Sequence, residues 1–201
     1  MLRCVLFDLD EVLADYDRQV RVGHLARAIG STSQAVHAAI YASGIEDAAD
    51  RGELAPQAYL DALGAHLGRP VSTEAWTAAR RAATRLRPEL LALATSLGER
   101  VTVAVLTNNG LLLAQQLPRI VPALFPLFEG RAFASAEFGA SKPDPRVYLA
   151  CLARLSLPAD ATLFVDDNLS NVEGALQAGL HAHHYRDLAS LRGTLLRFGL
   201  P

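Results

Sequence analysis

Three largely apolar runs of strand type each end in a polar cluster, and this repeated arrangement constrains the fold more than any other feature of the chain. Residues 4–7 lead into Asp8-Leu9-Asp10, residues 101–106 into Thr107-Asn108-Asn109, and residues 162–165 into Asp166-Asp167-Asn168. A further cluster, Lys142-Pro143-Asp144-Pro145, lies between the second and third. Near-continuous apolar runs fit strands covered on both faces, which is the pattern of parallel sheets. Side by side, such strands open their carboxyl ends into one crevice, where open α/β sheets bind ligands. Carboxylates, a hydroxyl and a lysine would then converge there.

The spacing of elements changes along the chain. After the first strand, residues 15–86 read as helix upon helix. One covers residues 20–29. Ser31-Thr32-Ser33-Gln34 open a second over 35–42, Pro56 starts a third running to 67, and Ser72-Thr73 cap a fourth over 74–86. From Pro88 onward strands (101–106, 130–134, 161–165, 181–185) alternate with helices (88–97, 110–117, 145–155, 169–177, 187–198), the rhythm of βαβ units. The expected fold is therefore a Rossmann-like α/β core of residues 1–14 and 88–201, split by an all-helical insert over 15–87. Linkers fall near 14–17 and 86–88, and Pro88 makes a boundary there physically reasonable. No internal repeat or low-complexity tract is present.

At 201 residues and 51% hydrophobic content, the chain can bury one sizeable core plus a smaller insertion. A net charge of −2 gives no basic excess for nucleic acid or an anionic membrane surface. No apolar stretch is long enough to span a bilayer. The first strand leaves no room for a signal peptide ahead of it, so a cytoplasmic location is expected. Cys4 and Cys151 fit buried small hydrophobes better than a disulfide or metal pair.

The motif set resembles the haloacid dehalogenase (HAD) superfamily, whose first motif is Asp-x-Asp and whose later motifs supply a Ser/Thr, a Lys and an acidic pair. All are present in that order, within Phe7-Asp8-Leu9-Asp10-Glu11-Val12-Leu13, Gly139-Ala140-Ser141-Lys142-Pro143-Asp144-Pro145, and Phe164-Val165-Asp166-Asp167-Asn168 followed by Asn171-Val172-Glu173-Gly174-Ala175. The resemblance is strongest to the capped small-molecule phosphatases, which include sugar-phosphate phosphatases and the amino-terminal domain of soluble epoxide hydrolase. It implies a helical cap over the crevice, a Mg²⁺ cofactor, and a Mg²⁺-dependent phosphomonoester hydrolase acting on a small phosphorylated metabolite such as a sugar phosphate.

The resemblance also assigns roles. Asp8 is the nucleophile that forms an aspartyl-phosphate. Asp10 shares its face of the strand, protonates the leaving alcohol, and then activates water. Thr107 and Asn108 hold the phosphoryl group, and Lys142 bridges Asp8 and the phosphate. Asp8, Asp10 through its backbone carbonyl, and Asp167 hold Mg²⁺, while Asp166 reaches it through water and contacts Lys142. Asn171 faces the acidic pair. Glu11 departs from the pattern, which has glycine or a small polar residue at that turn; a solvent-facing glutamate is the plain expectation. Asp144 with Pro145, and Asn168, also suit helix starts.

Other groups carry less. His181, His183 and His184 suggest a transition metal by composition but alternate like a strand beyond the last motif, so a structural role is expected. Tyr41, Tyr59 and Trp76 read as core of the insert. Asp17, Arg18, His24, Tyr41 and Arg51 are the insert's candidates for contacting a polar leaving group. A phosphomutase shares every core residue. A metal-independent dehalogenase is disfavoured by Asp10 and Asp167, and a non-catalytic domain of the same fold by the intact set of Asp8, Asp10, Lys142 and Asp167. A response-regulator receiver would order its acidic residues differently and lack the insert. The expected partner is a small phosphate ester, with the chain a monomer or homodimer.

Overall fold

The computed structural model describes residues 1–201. In chain order the strands are β1 (Cys4–Phe7), β2 (Ala14–Tyr16), β3 (Thr84–Leu86), β4 (Thr102–Thr107), β5 (Ala132–Ala134), β6 (Thr162–Asp166) and β7 (His181–His184). Five of them form one parallel sheet in the order β5-β4-β1-β6-β7. The central strand β1 has neighbours reached by crossovers in opposite directions, so the crevice of the switch point opens at its carboxyl end.

Alternation along β1 explains the two layers. Val5 and Phe7 face a core that includes Leu90 and Leu97 of α6 (Pro88–Gly98) and Leu191 and Leu195 of α10 (Leu188–Arg197). Cys4 and Leu6 face the other way, onto Tyr148 and Cys151 of α8 (Pro145–Leu155) and Ala175 of α9 (Leu169–Gln177). Burial on both faces is what required near-continuous apolar runs in the sequence. α7 (Leu111–Ile120) completes the helices of the sheet domain.

The insert holds α1 (Arg18–Ile29), α2 (Ser33–Tyr41), α3 (Ile45–Asp50), α4 (Pro56–Leu67) and α5 (Thr73–Ala83). Its starts follow the sequence chemistry. Asp17, Thr32 and Ser72 accept backbone N–H bonds as N-caps, and Pro56 occupies the first turn of α4. Val22 and Leu25 of α1 pack with Trp76 and Ala79 of α5 in the same apolar core.

Two features differ from the sequence reading. The short helix α3 was not expected, and it lacks a side-chain cap at Gly44. The fourth insert helix does not continue to residue 86. Instead Thr84–Leu86 pairs antiparallel with Ala14–Tyr16, in the register Ala14 with Leu86 and Tyr16 with Thr84. The two linkers thus form one ribbon, braced where Asp15 accepts from Arg87 Nε at 2.7 Å and Arg85 Nη2 at 3.1 Å. Its strands lie 70 residues apart in the chain and are three residues long, so local periodicity carries no trace of them. No helix is long and apolar enough to cross a membrane.

Candidate active site

The carboxyl ends of β1, β4 and β6 bring Asp8, Thr107 and the pair Asp166-Asp167 to one place. Carboxylate oxygens of Asp8, Asp166 and Asp167 lie within 4.8 Å of one another, the one acidic grouping of this kind in the chain. Lys142 Nζ sits 3.0 Å from Asp8 Oδ1 and 2.7 Å from Asp166 Oδ2, with its side chain fully buried. Burial pushes the Asp8 carboxyl up to about 7; Lys142 pulls it back, while Asp166 and Asp10 push it further up. Burial also works against the Lys142 ammonium, yet the two carboxylates hold it above its ordinary value. Burial and the Asp166 charge raise Asp167. One ammonium among these carboxylates leaves surplus negative charge, gathered on hard oxygen donors.

The partners of each oxygen differ. Asp8 Oδ1 accepts from the Leu9 backbone N–H at 2.7 Å as well as facing Lys142, and this leaves Oδ2 without a protein donor. Asp166 is enclosed: it accepts from Lys142, from Asn171 Nδ2 at 3.1 and 3.2 Å, and from the Asn168 N–H at 2.8 Å. Asp167 is the most exposed of the three and lines the crevice. Thr107 Oγ1 accepts from Asn109 Nδ2 at 2.8 Å and keeps its own hydroxyl hydrogen to donate.

Lys142 is held by its backbone. Asn108 Nδ2 donates to the Lys142 carbonyl and Asn108 Oδ1 accepts from the Lys142 N–H, both at 2.8 Å. The amide expected at the phosphate also holds the lysine loop: its oxygen and one of its two N–H donors are used there, while the residue lines the crevice. On the other side Gly174 of α9 lies against the loop, where an added Cβ would stand 2.2 Å from the Pro143 carbonyl oxygen. Glycine there lets helix and loop backbones touch. Asp144 caps α8 and Asn168 caps α9, as their sequence positions indicated.

The insert supplies the opposite wall of a crevice of about 600 Å³. Asp10 is not part of the carboxylate grouping. Its Oδ2 accepts instead from Arg80 Nη2 of α5 at 2.5 Å. Arg80 and Arg21 are buried yet line the crevice, as do Tyr16, Glu46 and Asp50. No sequence pattern singled out these residues, since each lies on an amphipathic helix or short linker where burial is set by a distant partner. Of the insert candidates, Arg18 and Tyr41 line the crevice, with the Arg18 guanidinium 5.2 Å from the Tyr41 ring centroid. Asp17 is spent as the α1 N-cap, Arg51 pairs with Glu53 at 2.6 Å, and neither Arg51 nor the exposed His24 reaches the crevice.

The remaining features have structural partners in or around the site. The three histidines diverge: His181 meets the Asp160 carbonyl at 3.0 Å, His183 the Thr194 hydroxyl at 2.9 Å, and His184 the Asp167 carbonyl at 2.8 Å. Both thiols are free and buried, and burial pushes Cys4 up to about 12. Tyr59 and Trp76 are core, edge to face at 6.2 Å. Glu11 is not simply solvent-facing. Its backbone is left-handed (φ 60), and its side chain accepts from the Tyr16 N–H at 3.1 Å and pairs with Arg87 at 3.2 Å, so it braces the β2–β3 ribbon.

Residues 2–179 match the haloacid dehalogenase-like hydrolases, and the chain belongs to that family. Among curated proteins it is 36% identical over 143 residues to a sesquiterpene phosphatase of Aspergillus oryzae, covering 69% of this chain and 70% of the relative. It is 41% identical over 81 residues to a phosphatase of Mycobacterium tuberculosis, covering 40% of this chain and 37% of that protein. In fold it is similar to a HAD family enzyme of Bacteroides thetaiotaomicron solved with magnesium and inorganic phosphate (TM-score 0.77, 22% identity, 95% of this chain and 99% of that one). It also superposes on an L-2-haloacid dehalogenase of Xanthobacter autotrophicus (TM-score 0.67, 19% identity, 100% and 85%). The chain is thus a HAD-like hydrolase with phosphatases among its relatives.

Proposed function

We propose that this enzyme is a Mg²⁺-dependent phosphomonoester hydrolase that acts on a small hydrophilic phosphate ester through an aspartyl-phosphate on Asp8. The observation that carries this reading is the crowding of Asp8, Asp166 and Asp167 around one buried lysine at the strand ends. The donor set fits the ion: Mg²⁺ takes oxygen ligands and needs only one or two carboxylates besides water and substrate. Asp8, Asp167 and the Asp10 backbone carbonyl would hold it, with Asp166 reaching it through water. When bound, it offsets the surplus carboxylate charge and neutralises phosphoryl oxygens.

The chain's own groups perform the rest. Lys142 and the Leu9 N–H anchor Asp8 Oδ1 and aim Oδ2, which attacks phosphorus. The bond from phosphorus to the ester oxygen breaks, and that oxygen takes a proton from Asp10. Asp10 then removes a proton from a water attacking the aspartyl-phosphate, which releases inorganic phosphate and restores Asp8. Thr107 donates to a phosphoryl oxygen. Residues 15–87 act as a cap over the core of 1–14 and 88–201, and closure excludes bulk water from the anhydride.

The crevice wall supports a hydrophilic leaving group. Ile40 is its only aliphatic member, facing Arg18, Arg21, Asp47 and Asp50. An isoprenoid tail, as the name of the Aspergillus relative implies for that protein, would bury apolar surface against charge. The test is phosphate release from p-nitrophenyl phosphate and a panel of polyol and prenyl phosphates, with and without Mg²⁺. Asp8→Asn lowers turnover by about 10³-fold or more while leaving the fold intact. Undiminished release by that variant, or halide release from 2-chloropropionate without metal, would overturn the reading.

A further inference from the structure

Thr107 closes β4 and is buried, yet it lines the crevice. Its hydroxyl accepts from Asn109 Nδ2 at 2.8 Å and donates to no group of the protein. A threonine hydroxyl has one hydrogen, and rotation of the O–H decides where that hydrogen points. A neighbour that donates to the oxygen excludes the rotamer in which the hydrogen points back at it. Asn109 is held firmly enough to do this. It is buried, its backbone N–H donates to Ser135 Oγ at 3.2 Å, and its carbonyl accepts from the Ala136 N–H at 3.3 Å. Ser135 is fully buried and donates to the Asp50 carbonyl at 2.8 Å, which leaves its oxygen to accept from Asn109. Asn109 therefore stands on backbone pinned by the segment that follows β5, ahead of the first residue of α7.

We propose that Asn109 is a positioning residue that sets the polarity of the Thr107 hydroxyl: by donating to its oxygen, the amide commits the hydroxyl hydrogen to a phosphoryl oxygen. This inference rests on the hydrolase reading above and deepens it. Phosphoryl oxygens only accept, so a hydroxyl that turns its lone pairs on them repels, and one that turns its hydrogen on them binds with charge assistance. A donor fixed beforehand in the useful direction needs no reorganisation when charge develops on the phosphoryl group. Asn108 is poorly placed for the task, because its oxygen and one N–H are used on the Lys142 loop. Asn109 acts through Thr107, and its removal leaves Asp8, Lys142 and Asp166 with all their partners.

The test is a double-mutant cycle between the two residues. Wild-type enzyme, Asn109→Leu, Asn109→Asp, Thr107→Val and the two double variants are assayed with Mg²⁺ for kcat/KM on p-nitrophenyl phosphate and glycerol 1-phosphate, and for competitive inhibition by inorganic phosphate. Thermal melting is followed alongside. Asn109→Leu frees the hydroxyl to rotate; it should lower kcat/KM by about 10-fold and weaken phosphate inhibition in step, within the worth of one hydrogen bond to a charged group. The loss should be equal on the two esters, because the contact is to the phosphoryl group and not to the leaving group. In the Thr107→Val background, Asn109→Leu should change nothing further, since there is no hydroxyl left to orient. Asn109→Asp is nearly isosteric and accepts where the amide donates, so it draws the hydroxyl hydrogen away from the phosphate. Its added charge acts in both backgrounds, and its cost should therefore shrink by about 10-fold, without vanishing, when Thr107 is Val. Losses that multiply in full in both double variants would overturn the inference, as would unweakened phosphate inhibition in Asn109→Leu. Should Asn109→Leu fail to fold, the Asn109→Asp pair decides alone. If the wild-type enzyme releases phosphate from neither ester, the hydrolase reading has failed and this inference falls with it; phosphate release with multiplying losses fails the inference alone.

Discussion

The two walls of the crevice are built on opposite principles. On the core wall, the groups hold one another at the strand ends: Leu9 and Lys142 hold Asp8, the Asn108 side chain holds the Lys142 backbone, and Lys142, Asn168 and Asn171 hold Asp166. On the insert wall, Arg80, Arg21, Glu46 and Asp50 are held by one another or by partners far along the chain. Arg21 donates to Glu46 at 2.7 Å and to the hydroxyls of Tyr16 and Tyr59, and Tyr59 in turn donates to Glu46. The Ser135 hydroxyl donates to the Asp50 carbonyl at 2.8 Å, and Gly52 lets α3 approach the Ala136 backbone. The core wall is set up to do one chemistry. The insert wall is held by its own network of buried charged and hydroxyl groups.

Lys142→Met breaks the core wall most deeply. It leaves Asp8 and Asp166 buried without their counter-charge, and should cost about 3–5 kcal/mol of stability together with activity. Chemical denaturation measures the loss, and added Mg²⁺ should restore part of it. Next in size is the contrast between Asp167→Ala and Thr107→Ala. The first should raise the Mg²⁺ needed for half-maximal activity by about 10-fold or more. The second should lower kcat/KM and leave that requirement in place. Unchanged Mg²⁺ dependence in the aspartate variant would remove it from the ligand set.

A smaller effect probes the insert wall. Burial, with the Glu46 charge behind it, pushes the Asp50 carboxyl up to about 8. An unfolded aspartate ionises near 4. Between those values the folded chain keeps a proton that the unfolded chain has lost, so stability falls as pH rises through this window and levels off above it. Asp50→Asn should flatten that slope. Its stability should exceed wild type by about 1–2 kcal/mol at pH 8 and match it at pH 4. An unaltered slope in urea titrations would show that Asp50 is already charged in the folded state.

The smallest change concerns the β2–β3 ribbon that joins insert and core. Glu11→Gly removes the left-handed strain of a side-chain residue, worth about 1–2 kcal/mol, but also the bonds to Tyr16 and Arg87, which as exposed contacts are worth about 0–1 kcal/mol each. Stability should move by less than about 1 kcal/mol, and a loss well beyond that would mean the glutamate brace is structural.

The sequence by itself determined the sheet, the order of the clusters and the convergence of Asp8, Thr107, Lys142, Asp166 and Asp167. Each depends on local information: an apolar run buried on both faces, and a polar residue at the point where the strand stops. Helix starts at Asp144, Asn168, Thr32 and Ser72 were legible for the same reason, because a cap bonds to the next turn. Only the tertiary structure decided what the insert presents to the site. The β2–β3 ribbon pairs segments 70 residues apart, α3 is too short for its periodicity to register, and Arg80 reads as an ordinary helix residue until folding sets it on Tyr16 beside Asp10. The bonds from the Asn108 side chain to the loop carrying Lys142 span 34 residues and likewise left no local trace. Pairing across long separations has no periodicity of its own, and so the insert's contribution to the crevice became visible only in the folded chain.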